Sequence, residues 1–217
     1  MTELYFGVSD NFTVPEFRNR KVIDEIKMVM SAFDCLLRDH TGVYCSSDIT
    51  TGRQYYDLLW EYAVRSEEEL QQRIGYAESE KVVENLKRRN IARGLEFSEN
   101  VRALVLEKPL VSPGPFEAPG FDQEHYLYLW EWVIIKKIHE VWFNEDWEYS
   151  NGCSLEYAIA AKKGISRFDK NGGSLELPCA SSKISKAIDD LRSRGFSVSK
   201  LHRNLKLIQA LAQEVHV

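Results

Sequence analysis

Strand-like and helix-like segments alternate four times between Val43 and Phe168. That order predicts an α/β domain built on a parallel sheet of four to five strands, with helices on both faces. Two observations of composition agree. The chain has 217 residues, a length suited to a single domain, and its 44% hydrophobic and 28% charged residues are a globular balance rather than a disordered one. Ten Tyr, ten Phe and five Trp supply enough apolar area for a core that needs no disulfide or metal staple.

Taken in order, residues 4–8 are a short apolar run, expected as a strand or an N-terminal arm. Over residues 15–38, Val22, Ile23, Ile26, Val29, Met30 and Phe33 recur at helical spacing, with Pro15 suited to a first turn. Val43-Tyr44-Cys45 is a compact β run, and the polar stretch 46–52 leads into a helix starting at Arg53. Residues 66–100 are strongly charged, helical in pattern and sparse in apolar positions. They read as a helical insertion relative to a minimal fold, a hairpin of partly exposed helices or an oligomer contact. Val101 to Val111 is expected as a second strand, closed by Ser112-Pro113-Gly114-Pro115 and again by Pro119-Gly120. Residues 122–137 form an aromatic helix whose expected buried stripe is Tyr126, Leu129, Trp130, Val133 and Ile134. Val141-Trp142-Phe143 is the third strand. The loop 144–152 then enters a helix that runs through Ala161 and ends at Gly164, before a fourth strand at 165–168. From Ser181, two helices split at Gly195 make a C-terminal tail.

Charge and cysteine usage exclude several function classes. A formal net charge of −5 gives no electrostatic reason to hold a phosphate backbone, so no nucleic-acid partner is expected. The basic runs at Lys87-Arg88-Arg89 and 200–206 read as solvated helix faces. Cys35, Cys45, Cys153 and Cys179 are scattered, with no C-x-x-C and no His at metal spacing, so neither a metal nor a disulfide framework is expected. No apolar run reaches bilayer length, and the opening Met-Thr-Glu-Leu-Tyr-Phe lacks the pattern of a signal peptide. The expectation is a soluble cytoplasmic protein with no membrane partner.

In parallel sheets the ligand crevice lies beyond the carboxyl ends of the strands, which singles out the loops 46–52 and 144–152. In the second, Ser150 or Asn151 can cap the following helix and Gly152 lets the backbone approach a ligand. Glu156 is then expected within about the first turn, where the positive helix end favours its ionised form. A fixed carboxylate of this kind can attack an electron-poor sugar carbon or hold ribose hydroxyls. The same placement is also ordinary complementarity to a helix dipole. In the first loop, the hydroxyls of Ser46, Ser47, Thr50 and Thr51, with Asp48 and Gly52, can receive a sugar or phosphate. A plain strand-to-helix connection is the other reading. Asp122 and Asp146 are the acids available to assist a leaving base, or else a cap and a turn residue. Tyr126 and Trp130 can stack a base or fill a core, and Trp147 and Ser150 can line a pocket or its rim. His125 and His139 are isolated, and Cys153 reads as a small packing residue.

The strand Val141-Trp142-Phe143, followed by Asp146-Trp147-Glu148-x-Ser150-x-Gly152-x-x-x-Glu156-x-Ala158, resembles the nucleoside 2-deoxyribosyltransferase superfamily, and most of all its uncharacterised branches. The segment from Val43 to Arg53 is similar to that superfamily's first strand and following loop, although the loop is Ser-Ser-Asp-Ile-Thr-Thr-Gly rather than a small-residue Ala-Gly-Pro type. The resemblance covers roughly residues 43–168, apart from 66–100. It implies a Rossmann-like or flavodoxin-like sheet and a nucleophilic Glu156 that forms a covalent sugar intermediate. The sugar is then passed to water or to another base, with no metal or cofactor required. It also implies a small-molecule nucleoside or nucleotide as substrate and a homo-oligomer whose pockets are completed across subunits. A non-catalytic nucleotide sensor on the same scaffold, or an oligomeric interaction protein using residues 66–100, are the other readings of the same residues.

Overall fold

The computed structural model describes residues 20–214. The expected strand or arm at 4–8 and the first-turn position of Pro15 lie outside them. Helix α1 spans Arg20–Leu36, and strand β1, Gly42–Ser46, follows with all five residues buried. Helices α2 (Arg53–Glu61), α3 (Glu67–Ile74) and α4 (Tyr76–Leu104) lead to a two-residue strand β2, Leu110–Val111. Helix α5 (Gln123–Lys137) runs directly into β3 (Ile138–Phe143). A single 3₁₀ turn at Trp147–Tyr149 precedes α6 (Asn151–Lys162), β4 (Ser166–Asp169), α7 (Leu177–Ser193) and α8 (Ser199–Glu214).

The four strands form one sheet in the order β2-β1-β3-β4, and every pairing is parallel. The chain leaves β1 toward β2 on one side and returns to place β3 on the other. The carboxyl ends of β1 and β3 therefore flank the topological switch point. Alternation along the strands sorts the two faces. Val43, Cys45 and Trp142 pack with Phe97, Val101 and Val105, so α4 covers one face. Tyr44, Val141 and Phe143 point the other way, into a larger core with Leu129, Val133, Tyr157 and Ile159 of α5 and α6 and with residues of α7 and α8. Helices cover both faces, and the fold is α/β with a Rossmann-like, flavodoxin-like sheet.

Several expected boundaries move: β3 begins at Ile138 rather than Val141, and α7 at Leu177 rather than Ser181. Residues 101–104 continue α4 rather than joining a strand, and β2 is confined to Leu110–Val111. Phe97, Val101 and Val105 recur every four residues on the side of α4 that meets β1. The apolar run beyond Val101 is thus a buried helical stripe, a pattern that short windows do not separate from a strand. The charged segment 66–100 also acquires a structural task, because Leu86, Phe97 and Ser98 are buried on α4. Helix α5 is enclosed on nearly all sides, with every residue from Tyr128 to Ile135 buried. Its sequence shows an amphipathic stripe, but β3, α1 and α6 occupy its flanks.

Local signals explain the turns. Asp122 caps α5, accepting from the backbone N–H of Glu124 at 2.9 Å and of His125 at 3.1 Å. Gly164 adopts φ +67° just beyond α6, where residues with a Cβ are disfavoured. Gly52, with φ +154°, starts α2, and a Cβ built on it would lie 2.8 Å from Asp48 Cβ. Among the described residues no helix is long and apolar enough to cross a membrane.

The Gly52–Asp48 contact generates the first prediction. Gly52→Ala forces either the Gly52 backbone or the buried Asp48 side chain to move, with an expected loss of about 1–3 kcal/mol. Urea unfolding measures it, and a stability equal to wild type would show that the loop relaxes freely.

Candidate functional site

Tyr44 and Ser46 lie two residues apart on β1 and so project from the same face, toward α6. Helix α6 is set against them by its own first turn. Ser150 is its N-cap, accepting from the Cys153 N–H at 3.3 Å. Asn204 of α8 donates its amide N–H groups to Ser154 Oγ at 2.8 Å and to the Asn151 carbonyl at 3.0 Å. Farther along, the Tyr157 hydroxyl donates to the Leu175 carbonyl at 2.7 Å. These contacts fix the rotation of α6 about its axis and bring Glu156 over the end of β1.

There the Glu156 carboxylate receives two hydroxyl donors, Tyr44 Oη to Oε1 at 2.7 Å and Ser46 Oγ to Oε2 at 2.6 Å. Glu156 is half-buried, whereas Tyr44 and Ser46 are fully buried. Burial raises the Glu156 pKa, while the two hydroxyl donors act to lower it. The expected helix-end stabilisation is replaced by this pair of bonds. Glu156 is the sixth residue of α6, in its second turn and past the first turn where the helix dipole acts, and its charged form depends on Tyr44 and Ser46 instead. Tyr44 is held in turn by an edge contact of its ring with Trp130, centroids 6.1 Å apart.

Glu156 lies on a cavity of about 330 Å³ at the switch point. One wall is the loop after β1, with Ser47, Ile49, Thr50 and Thr51; another is the start of α6, with Ser150, Gly152 and Cys153. The third wall is aromatic. Tyr126 and Trp130 of α5 meet Phe116 and Phe121 of the loop after β2, with Phe116 edge-on to Tyr126 at 6.2 Å and to Trp130 at 5.5 Å. Lys87 arrives from α4 and pairs with Glu117 at 3.2 Å, both groups lining the same space. A Cβ at Gly152 would meet only Ser150 Oγ, at 3.8 Å, so this glycine leaves the approach to the backbone open. The Ser47 hydroxyl is buried and has no partner.

The cavity gathers Ser47, Thr50, Thr51, Asp122, Tyr126, Trp130, Ser150, Gly152 and Glu156 from the expected residues. Ser46 joins through its bond to Glu156. Four others lie elsewhere. Asp48 is 2% exposed beneath the loop, where burial raises its pKa to about 6 against the pull of Arg93. Gly52 sits behind Asp48 as the cap of α2. Asp146, at φ +60°, accepts from Arg53 Nη1 at 3.3 Å and does not line the cavity. Trp147, expected to line a pocket, is 2% exposed and stacks on Tyr157 with centroids 5.1 Å apart. The 3₁₀ turn directs its ring into the core beside Phe143. His125 closes the capping box at Asp122, accepting from the Asp122 N–H at 2.9 Å, and His139 is exposed on β3. Cys153 is buried on the cavity wall with its thiol pKa raised by that burial.

Sequence reasoning missed Tyr44, Phe116, Phe121, Lys87 and Glu117. Tyr44 was legible as the residue two before Ser46 on the same strand face. Phe116 and Phe121 sit in a Pro- and Gly-rich turn whose backbone signals hide its side chains, and Lys87 sits in a run with the pattern of a solvated face.

The Glu156 pairing makes a pH prediction. A carboxyl with a folded pKa above its unfolded value keeps its proton longer in the folded state, so stability falls as pH rises from about 4.5 through the folded pKa. Glu156→Gln removes that fall. Tyr44→Phe deletes a donor to the charged form and extends the fall to higher pH. Urea unfolding across a pH series reads both, and identical slopes in the three proteins would contradict the assignment. Comparison with protein-family models, curated proteins and solved structures finds no match to this chain.

Proposed function

We propose that the chain cleaves or exchanges the N-glycosidic bond of a nucleoside, nucleotide or related dinucleotide, with Glu156 as nucleophile. The observation that carries this reading is the Glu156 carboxylate, gripped by Tyr44 and Ser46 while facing an aromatic-walled cavity at the switch point. The two hydroxyls hold the carboxylate in place and favour its ionised form. In the first step a Glu156 oxygen bonds to the anomeric carbon as the carbon–nitrogen bond breaks, and the base leaves with the bonding pair. The base gains a proton from the rim, where Asp122 is the acid of the two expected ones that reaches the cavity. In the second step water attacks the same anomeric carbon, breaks its bond to the Glu156 oxygen and gives its proton back to Asp122, releasing the sugar; a second base attacking that carbon and losing its own proton gives exchange instead.

The aromatic wall suits a planar base. Phe116, Tyr126 and Trp130 line the same cavity as the polar loop after β1, packed edge to face on one another. That loop, with the Thr50 and Thr51 side chains, and the Lys87 ammonium, which pairs with Glu117 at 3.2 Å, support a substrate bearing a phosphate. Lys87 comes from α4, outside the part of the chain on which the family resemblance rests.

A second reading, a nucleotide-binding module without turnover, is favoured by one observation. Asp122 Oδ1 is engaged by two backbone N–H groups as the α5 cap, which ties up the acid proposed to assist the leaving base. Incubation with nucleosides, nucleoside 5′-monophosphates and NAD, with chromatography for free base, separates the two. Wild type is expected to release base, and Glu156→Gln to lower kcat by at least about 10²-fold. Ligand-induced thermal stabilisation without base release in either protein would establish the binding module instead. Lys87→Ala is expected to weaken KM for a 5′-monophosphate about tenfold, the size of one lost charge-assisted hydrogen bond, and to leave the nucleoside unaffected. An equal effect on both substrates would remove Lys87 from phosphate recognition.

A further inference from the structure

The cavity of Glu156 has an uneven charge. Among the described residues its lining holds three carboxyl groups, Glu117, Asp122 and Glu156, and one cation, Lys87. Each carboxyl group is balanced differently. Glu156 accepts from the hydroxyls of Tyr44 and Ser46, and Asp122 accepts from the backbone N–H groups of Glu124 and His125. Glu117 accepts from the Lys87 ammonium at 3.2 Å. Asp122 is fixed as the cap of α5, and Glu156 is fixed against β1. Glu117 stands on the irregular segment between β2 and α5, and its side chain is 68% exposed.

The backbone around Glu117 has anchors of its own. Phe116 packs edge-on to Trp130 at 5.5 Å, and the Ala118 N–H donates to Tyr126 Oη at 3.0 Å. Both anchors lie on α5 and flank Glu117, so the backbone keeps its place when the side chain releases Lys87. Lys87 issues from α4, which is packed on β1 through Phe97 and Val101. The cation thus rides on a fixed helix, and its partner has solvent to move into. An exposed ion pair of this kind shifts an equilibrium by at most about fivefold. A ligand overcomes that if it offers Lys87 more than a carboxylate does. A phosphomonoester at neutral pH carries a charge of about −1.5 to −2 and three strong acceptor oxygens. A phosphodiester carries no more charge than Glu117 and gains nothing by the exchange.

We propose that Glu117 is a specificity-determining residue of this cavity, an internal anion that holds Lys87 until a phosphomonoester replaces it. The inference rests on the reading of Lys87 as the phosphate contact, and it narrows the substrate class given there. A neutral nucleoside leaves the Lys87–Glu117 pair closed, a diester meets it on equal terms, and a 5′-monophosphate opens it. The displaced carboxylate turns outward at the exposed rim, away from the incoming anion.

Isothermal titration calorimetry with each common nucleoside, its 5′-monophosphate and the methyl ester of that monophosphate tests the exchange. Proteins with and without Glu117→Gln are compared, both carrying Glu156→Gln so that no ligand is consumed. With Glu117 present, the monophosphate is expected to bind about tenfold more tightly than its nucleoside, and the methyl ester no more tightly than the nucleoside. With Glu117→Gln, both esters are expected to gain about fivefold relative to the nucleoside. A tie that only held the fold would, when removed, weaken all three ligands instead. Two results overturn the role of Glu117 and leave the proposed function standing: equal preference for both esters with Glu117 present, or ester-to-nucleoside ratios that Glu117→Gln does not change. If neither protein binds any ester more tightly than its nucleoside, Lys87 holds no phosphate and the inference falls. Release of base from a nucleoside by wild type would then still uphold cleavage at Glu156.

Discussion

A carboxylate taken out of water needs partners, and the arrangement around the switch point follows from how Glu156 obtains them. The two hydroxyls that meet it come from residues 112 and 110 positions away in the chain. Parallel pairing of β1 with β3, with α6 packed on the face to which Tyr44 points, brings the three side chains together. Removing any of these supports leaves a buried acid whose neutral form is favoured. Electrostatics and packing at the site are thus one constraint.

That constraint reaches well beyond the cavity. Asn204 of α8 ties down the first turn of α6, and the stack of Phe143, Trp147 and Tyr157 fills the space between α6 and β3. The C-terminal helices, which offer no site-like residues of their own, position the carboxylate by holding the helix that carries it. Helix α4 acts similarly from the opposite face. It covers β1 through Phe97 and Val101, supports the Ile49 carbonyl through Asn90 and sends Lys87 to the cavity. One helix therefore serves as sheet cover, loop support and cavity wall, although its sequence has the charge density of a solvated surface.

Much of the local structure was legible in particular residues. Ser150 and Asp122 are where caps were expected, and Gly164 ends α6 in the backbone conformation that favours glycine there. Each of these signals acts within a few residues, so a short window contains the whole cause. The second strand was not legible in this way. The apolar residues beyond Val101 suit a strand or a buried helix equally, and the choice is made by β1, on which Val101 and Val105 pack. Trp147 was misplaced for a related reason. Its neighbours in sequence form a loop, but the ring is drawn inward by Phe143 and Tyr157.

By itself, the sequence determined the alternation of strands and helices, the caps that start and stop them, and the presence of an acidic residue shortly after a strand-to-helix loop. All of these arise from periodicity and hydrogen bonding between near neighbours. Tertiary structure alone decided which side of each strand meets which helix, that Tyr44 and Ser46 share one carboxylate, and that Phe116 and Lys87 complete its cavity. It also decided that Asp48 and Asp146 are turned to structural uses. The reason is that burial and proximity depend on elements far apart in the chain, and the partners that determine a carboxyl group's charge become neighbours only when the sheet and its helices have packed.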